Sequence, residues 1–224
     1  MDSRKKFDIK TLVTLAILSA ISSVLMLMIR ISFMPGNEFL IFDLKDMPIA
    51  IGGFLYGPLA VIPMSIIVSF VEMNTVSADG LVGLVMNVIS TCAFACPAAL
   101  IYKRKRTLAG ATIGLVAGWL FVTAVMVMWN YIITPVYRGF PREAIVPMLP
   151  TVFLPFNLIK YGFGAAMTML IYKPLSLALK KTKVIQQTQE KALLRENIVV
   201  GLILAICLAA IPCIILVLVL QGLI

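Results

Sequence analysis

The sequence predicts an all-α, polytopic membrane helix bundle, and three observations carry that prediction. Of 224 residues, 61% are hydrophobic and only 13% are charged, and the mean hydropathy is +1.05. A soluble domain cannot hide that much apolar surface. Several runs also reach about 20 mainly apolar residues, the length a helix needs to cross a hydrocarbon core about 30 Å thick. Finally, the 19 basic residues are distributed along the chain as a positive-inside bias requires. Soluble enzymes, disordered regulators and nucleic-acid binders are excluded.

The first run, 11–29, follows a basic N-terminal segment and is too long for the apolar core of a secretory signal. Region 47–71 is either one long helix or two short crossings that reverse at Tyr56, Gly57 and Pro58. Charge placement decides. One crossing would put the basic cluster 103–106 and the basic residues of 173–195 opposite the basic N-terminus. Two crossings gather Arg4, Lys5, Lys6, Lys10, the 103–106 cluster, Lys173, Lys180, Lys181, Lys183, Lys191 and Arg195 on one side, and leave Arg30, Lys45, Arg138 and Arg142 on the other. Two short crossings are therefore expected, packed against other helices because each is thinner than a bilayer. Gly52, Gly53, Gly57, Pro58 and Pro63 suit close packing and a sharp reversal.

The charge-free runs 81–102 and 108–133 follow, and then 152–172, which carries Lys160 in its interior. A polar, mostly basic linker, 180–197, leads to a last apolar run, 198–220, in a C-terminal segment 198–224. The expectation is a membrane domain over 1–179 plus one further crossing, seven in all. In the cell membrane, the N-terminus would face the cytoplasm and the C-terminus the outside.

Chemistry-bearing residues are few. There is no histidine, which removes the usual general base and the commonest metal ligand. Cys92, Cys96, Cys207 and Cys213 all sit in apolar runs, and with the Met-rich run 125–128 they read as lipid-facing or core filler. Lys160 is the charge expected deep in a crossing, and Glu72 stands at the outer end of another. An intramembrane charge points to function, the plain structural alternative being a Lys160–Glu72 pair or a snorkelling side chain.

Asn157 lies one helical turn before Lys160 on the same face, and Asn130 lies near the outer end of its own span. All three fall in the outer half of the membrane and converge on one pocket, unless each asparagine serves only as interhelical glue. The loop from Arg30 to Asp46 reads equally well as an interfacial anchor or as a lid over that pocket. No phosphate loop is present, and no acidic residue is expected deep in a span. Transport would then draw its energy from another subunit. Ala16 and Ala20, with Ser23 nearly in line, form a small-residue stripe where such a subunit could dock.

A resemblance narrows these options. The segments FLIFDLKDMP (39–48), IGGFLYGP (51–58), WNYIITPVY (129–137), PRE (141–143) and LPFNLIK (154–160), together with Ala16 and Ala20, resemble the riboflavin-specific S component of energy-coupling factor (ECF) transporters over about residues 7–180. The resemblance implies a six-helix substrate-binding subunit that captures riboflavin from outside and is not an enzyme. It needs no cofactor, riboflavin being cargo, and it works with a transmembrane coupling protein and two ATPase subunits. Carried over by motif, Asn130, Asn157 and Lys160 would contact the vitamin, with Tyr131 beside them and with Leu40, Phe42 and Asp43 of the loop covering it. Ala16 and Ala20 would meet the coupling protein.

An isoalloxazine edge donates and accepts as an asparagine amide does, and a ribityl chain offers hydroxyls to Lys160. One lysine is little for a phosphate, so FMN, like a different vitamin, is the secondary expectation. Six-helix relatives have no counterpart to run 198–220. An intramembrane enzyme is the competing class, opposed by the missing histidine and by the lack of clustered acids in the spans.

Overall fold

Gly57 decides the topology of the first half of the chain. In the computed structural model its φ of 95° lies in a region that residues with a Cβ rarely adopt, and it separates α2 (Asp46–Tyr56) from α3 (Pro58–Thr75). Pro58 then opens α3 at a position where a missing N–H is harmless. The structure describes residues 9–181 except Pro35, Gly36, Glu38 and Phe140, without the side chains of Lys173 and residues 175–181. The expected 198–220 crossing, and the linker beyond Lys181, lie outside the described residues.

The other elements are α1 (Ile9–Met28), α4 (Gly80–Arg104), α5 (Leu108–Arg138), α6 (Arg142–Met148) and α7 (Leu154–Lys181), with one π-helical turn, Leu149–Phe153, joining the last two. Among the described residues, five helical stretches are long and apolar enough to cross a membrane: α1, α3, α4, α5 and Arg142–Tyr172. With 11 residues, about 16 Å, α2 falls short. It is buried continuously from Asp46 to Phe54, as expected of a thin crossing inside a bundle.

Two expectations need correction. Helix α3 is not short, because its 18 residues continue past Val71 to Thr75. The last described stretch begins at Arg142, not near 152. Pro147, Pro150 and Pro155 each lack a donor that an α-helix would use, and the chain absorbs the mismatch in the wider π turn instead of stopping.

Consecutive crossings alternate in direction. Near one end Ser22 donates to the Lys45 carbonyl, Lys45 meets Glu72, and Glu72 meets Asn87. Near the other end Gly53 abuts Val61 and Ala99, and Gly57 lies beside Lys103. The start of α1, the Gly57 reversal, the 103–106 cluster and the end of α7 therefore share one end of the bundle, as the two-crossing reading of 47–71 required.

Small residues bring α4 and α5 together. A Cβ on Gly118 would stand 2.1 Å from the Phe94 carbonyl oxygen, and one on Gly114 would stand 2.7 Å from that of Ala98. Trp119 Nε1 donates to the Leu158 carbonyl at 3.0 Å and ties α5 to α7. Phe54, Tyr102 and Tyr172 close the far end with tilted and edge-on rings.

Gly118→Ala is predicted to destabilise the bundle by about 1 to 3 kcal/mol through overpacking against backbone. Gly164→Ala, where an added methyl meets nothing within 4 Å, should be neutral or better. Thermal unfolding of the two variants in detergent checks the contrast.

Candidate functional site

The polar end of the bundle is built on a chain of buried charges. Lys45, 1% exposed, donates to Glu72 Oε2 at 2.5 Å and to Asn87 Oδ1 at 3.0 Å. Its ammonium lies 3.6 Å from Asp43, whose carboxylate accepts from Lys160 at 2.9 Å. Asn87 also donates to Glu72 at 3.0 Å, and Arg30 stands 3.7 Å from the other Glu72 oxygen. Asp46, at the start of α2, accepts from Thr91 of α4 at 2.5 Å.

Asp43, Asp46 and Glu72 thus meet Arg30, Lys45 and Lys160 in one cluster, buried except for the partly exposed Arg30, with the charges contributed by the α1–α2 connection, α2, α3 and α7. In the loop, burial works against ionised Asp43. The Lys160 and Lys45 ammoniums outweigh it and hold the carboxyl at about 2, so the group stays charged.

This pattern removes the alternative of a Lys160–Glu72 pair, since Asp43 takes Lys160 and Lys45 takes Glu72. Lys160 also has buried charged company at the end of the bundle, because Asp43 and Lys45 of the connection and Asp46 at the start of α2 are all buried. The charged residues of the loop, which reads from sequence as an interfacial anchor or a lid, are folded inward, where pairing compensates the desolvation.

The loop between α1 and α2 is a strap. Ile31 and Phe42 exchange backbone hydrogen bonds at 3.0 and 2.8 Å, closing a short antiparallel bridge. Met34 and Leu40 are buried with Ile145, Phe153 and Phe156, and Phe33 stacks on Phe156 at 5.6 Å. Its apolar side chains therefore cover the bundle and are not laid out as an exposed interfacial anchor. Arg138, whose guanidinium lies 4.6 Å above the Phe39 ring, holds the strap from the side of α5. Asp79, in the α3–α4 turn, accepts from Arg138 at 2.8 Å and from Tyr137 at 2.5 Å.

Under the strap lies a cavity of about 860 Å³, counting the space open at its mouth. Asn130 from α5, Asn157 and Lys160 from α7, and Leu40 and Asp43 from the strap all line it. The convergence expected from sequence is realised.

Asn130 Nδ2 donates to the Met126 carbonyl and Asn157 Nδ2 to the Phe153 carbonyl, each at 2.7 Å, while Thr134 donates to Asn130 Oδ1 at 2.9 Å. These bonds orient the amides on their own helices. They are not the interhelical glue of the alternative reading.

Two expected residues stand elsewhere. Phe42 packs edge-on against Phe33 and Phe163, outside the cavity wall. Tyr131 is 43% exposed on the outer face of α5, and its neighbour Trp129 lines the cavity instead. Two residue steps on a helix turn a side chain by about 200°, which sets the two on nearly opposite sides of α5. Ala16 and Ala20 lie exposed on α1, far from the cavity, whereas Ser23 is half-buried.

Several wall residues were not foreseen. Asn87 and Ser90 line the cavity from α4, and a polar pair one turn apart inside the apolar run 81–102 was the signal available in the sequence. Met126, read as filler, lines it too. Asp79, Tyr137 and Arg138 carry no local pattern that would have assembled them. The lining charges balance, with Arg30, Arg138 and Lys160 facing Asp43, Glu72 and Asp79.

Comparison with known proteins places these features in context. The family model for "ECF transporter, substrate-specific component" matches residues 10–176. The chain is 32% identical over 161 residues to the riboflavin transporter FmnP of Bacillus subtilis, covering 68% of this chain and 84% of that protein. It is 28% identical over 191 residues to the riboflavin transporter RibU of Staphylococcus aureus, covering 81% and 100%. A solved structure of the S component of a bacterial ECF transporter superposes with a TM-score of 0.65 at 29% identity, covering 76% of this chain and 98% of that one.

The ionic chain predicts an asymmetric mutational response. Lys45→Met leaves Glu72 and Asp43 buried without their shared cation, and should destabilise the protein by about 3 to 5 kcal/mol. Adding Glu72→Leu to Lys45→Met should recover part of that loss, because the two residues are coupled. Melting temperatures of the single and double variants in detergent measure the difference.

Proposed function

The chain belongs to the family of ECF transporter substrate-specific components, and from that premise we propose that its cavity binds free riboflavin arriving from outside the cell. The observation that carries this reading is the convergence of Asn130, Asn157 and Lys160 on one cavity whose remaining wall includes the flat apolar side chains of Trp129, Phe39 and Phe156. A flavin ring presents two apolar faces and an imide-like edge that both donates and accepts. Amides answer the edge, and aromatic and aliphatic side chains answer the faces. The ribityl hydroxyls fall to Lys160.

Charge balance favours the unphosphorylated vitamin over FMN. Three cations on the wall are each matched by a carboxylate, and Lys160 is already paired with Asp43. A phosphate dianion would enter a cavity with no net positive charge to offset its desolvation.

As a multi-pass membrane subunit of an ECF transporter, the protein works with that transporter's energising module. The partners proposed here are a transmembrane coupling protein and two ATPase subunits. The bundle end holding the 103–106 cluster would face the cytoplasm, in keeping with the positive-inside bias. Ala16 and Ala20 would meet the coupling protein on the exposed face of α1. Ala16 stands 14 residues before Arg30, about 21 Å along the helix rise, so docking and binding occupy separate regions.

Riboflavin titrated into the purified protein should quench both the flavin and Trp129 emission at micromolar concentration. Asn130→Ala, Asn157→Ala and Lys160→Ala should each weaken binding about threefold to tenfold, with more where a buried partner is left unpaired. Unchanged fluorescence on adding vitamin would defeat the ligand assignment. Trp at both Ala16 and Ala20 should leave this titration intact yet stop growth of cells that depend on imported riboflavin. Normal uptake by that double variant would remove the docking face.

A further inference from the structure

We infer that Arg30 is a ligand-binding residue whose guanidinium donates to hydroxyl oxygens of the ribityl chain. This rests on the reading that the cavity takes riboflavin. Arg30 lies just beyond the last turn of α1 and lines the cavity. Its Nη1 is buried and has no hydrogen-bond partner. The carboxylate oxygen facing it, Glu72 Oε1, is 3.7 Å away, beyond hydrogen-bonding range. The other Glu72 oxygen already accepts from Lys45 at 2.5 Å and from Asn87 at 3.0 Å.

A guanidinium has donors only, and a buried donor left unpaired carries its full desolvation cost. The other cations and the two asparagines each already have at least one acceptor: Lys160 has Asp43 and the Ile41 carbonyl, Arg138 has Asp79, and each asparagine amide has a carbonyl one turn back. Arg30 is thus the lining side chain whose buried nitrogen still calls for an acceptor, and the ligand is the group that supplies one.

The polyol is the part of the ligand that meets it. Arg30 and Lys160 stand at the two ends of a single ionic chain that runs through Glu72, Lys45 and Asp43. A chain of hydroxyls lying along that wall presents oxygens to both cations. The ring needs aromatic surface, which Trp129 and Phe156 supply within the same cavity.

The test compares riboflavin with lumiflavin, which has the same ring and a methyl group in place of the ribityl chain. Both are titrated into wild type, Arg30→Gln and Arg30→Lys in detergent, and the melting temperature of each ligand-free protein is recorded. Arg30→Gln should weaken riboflavin about tenfold or more, as expected for a lost charge-assisted hydrogen bond, and should change lumiflavin by less than about twofold, so that the preference between the two contracts. Arg30→Lys keeps a cation toward Glu72 and should melt like wild type. It should still lose part of the preference, and it carries the test alone if Arg30→Gln does not fold.

Equal loss of both ligands, or no loss of either, would overturn the assignment and leave Arg30 as support for Glu72. Wild type that fails to bind riboflavin overturns the ligand reading itself, and that is seen before any variant is measured.

Discussion

Burying a charge in an apolar interior costs several kcal/mol unless a partner and further hydrogen bonds compensate it. The polar end of this bundle answers that requirement with one chain of ions. Lys160 of α7 meets Asp43, Asp43 meets Lys45, Lys45 meets Glu72 of α3, and Glu72 faces Arg30 at the end of α1. Asn87 and Thr91 of α4 supply the remaining acceptor and donor. The chain ties the α1–α2 connection, which supplies Arg30, Asp43 and Lys45, to α3 and α7, so none of these can move without stranding a charge. The strap is drawn inward by Asp43 and Lys45, and α2 begins where Asp46 can reach Thr91. The cavity is lined by this wall together with aromatic side chains such as Trp129 and Phe156.

Because opposite charges on the wall balance one another, it can be polar without being charged overall. Such a cavity suits a neutral ligand with several oxygen atoms and penalises one that brings net charge without a counter-ion. The asparagines follow the same logic. Their Nδ2 groups are held by carbonyls one turn back, which orients the amides before any ligand arrives and lowers the entropy lost on binding.

The opposite end of the bundle holds together by other means. In lipid there is no hydrophobic gain from pressing two helices together, so close packing has to supply the attraction. Gly114 and Gly118 let α5 approach the backbone of α4, and Gly52 and Gly53 let α2 fit against Met64, Val61 and Ala99. Helix α1 keeps an outward face that includes Ala16 and Ala20. Polar chemistry at one end and small-residue packing at the other separate ligand capture from contact with a partner.

Hydropathy determined that the chain spans a membrane, because run length and apolar content answer directly to bilayer thickness. The sign and order of the basic residues determined that 47–71 reverses at Gly57, since only a reversal keeps the basic segments at one end. Motif positions placed Asn130, Asn157 and Lys160 on a common pocket, helped by the helical period that aligns Asn157 with Lys160. The rest depended on contacts between residues far apart in the chain. Which acid pairs with Lys160 turned on how deeply the strap folds, and no local pattern encodes that depth. Whether Trp129 or Tyr131 faces the cavity turned on the rotation of α5 about its axis, which is set by where Gly114 and Gly118 meet α4. Asp79, Arg138 and Phe39 meet because three separate connections end at the same face. Sequence periodicity reports which side of an element is apolar, but only the packed structure decides what that side meets.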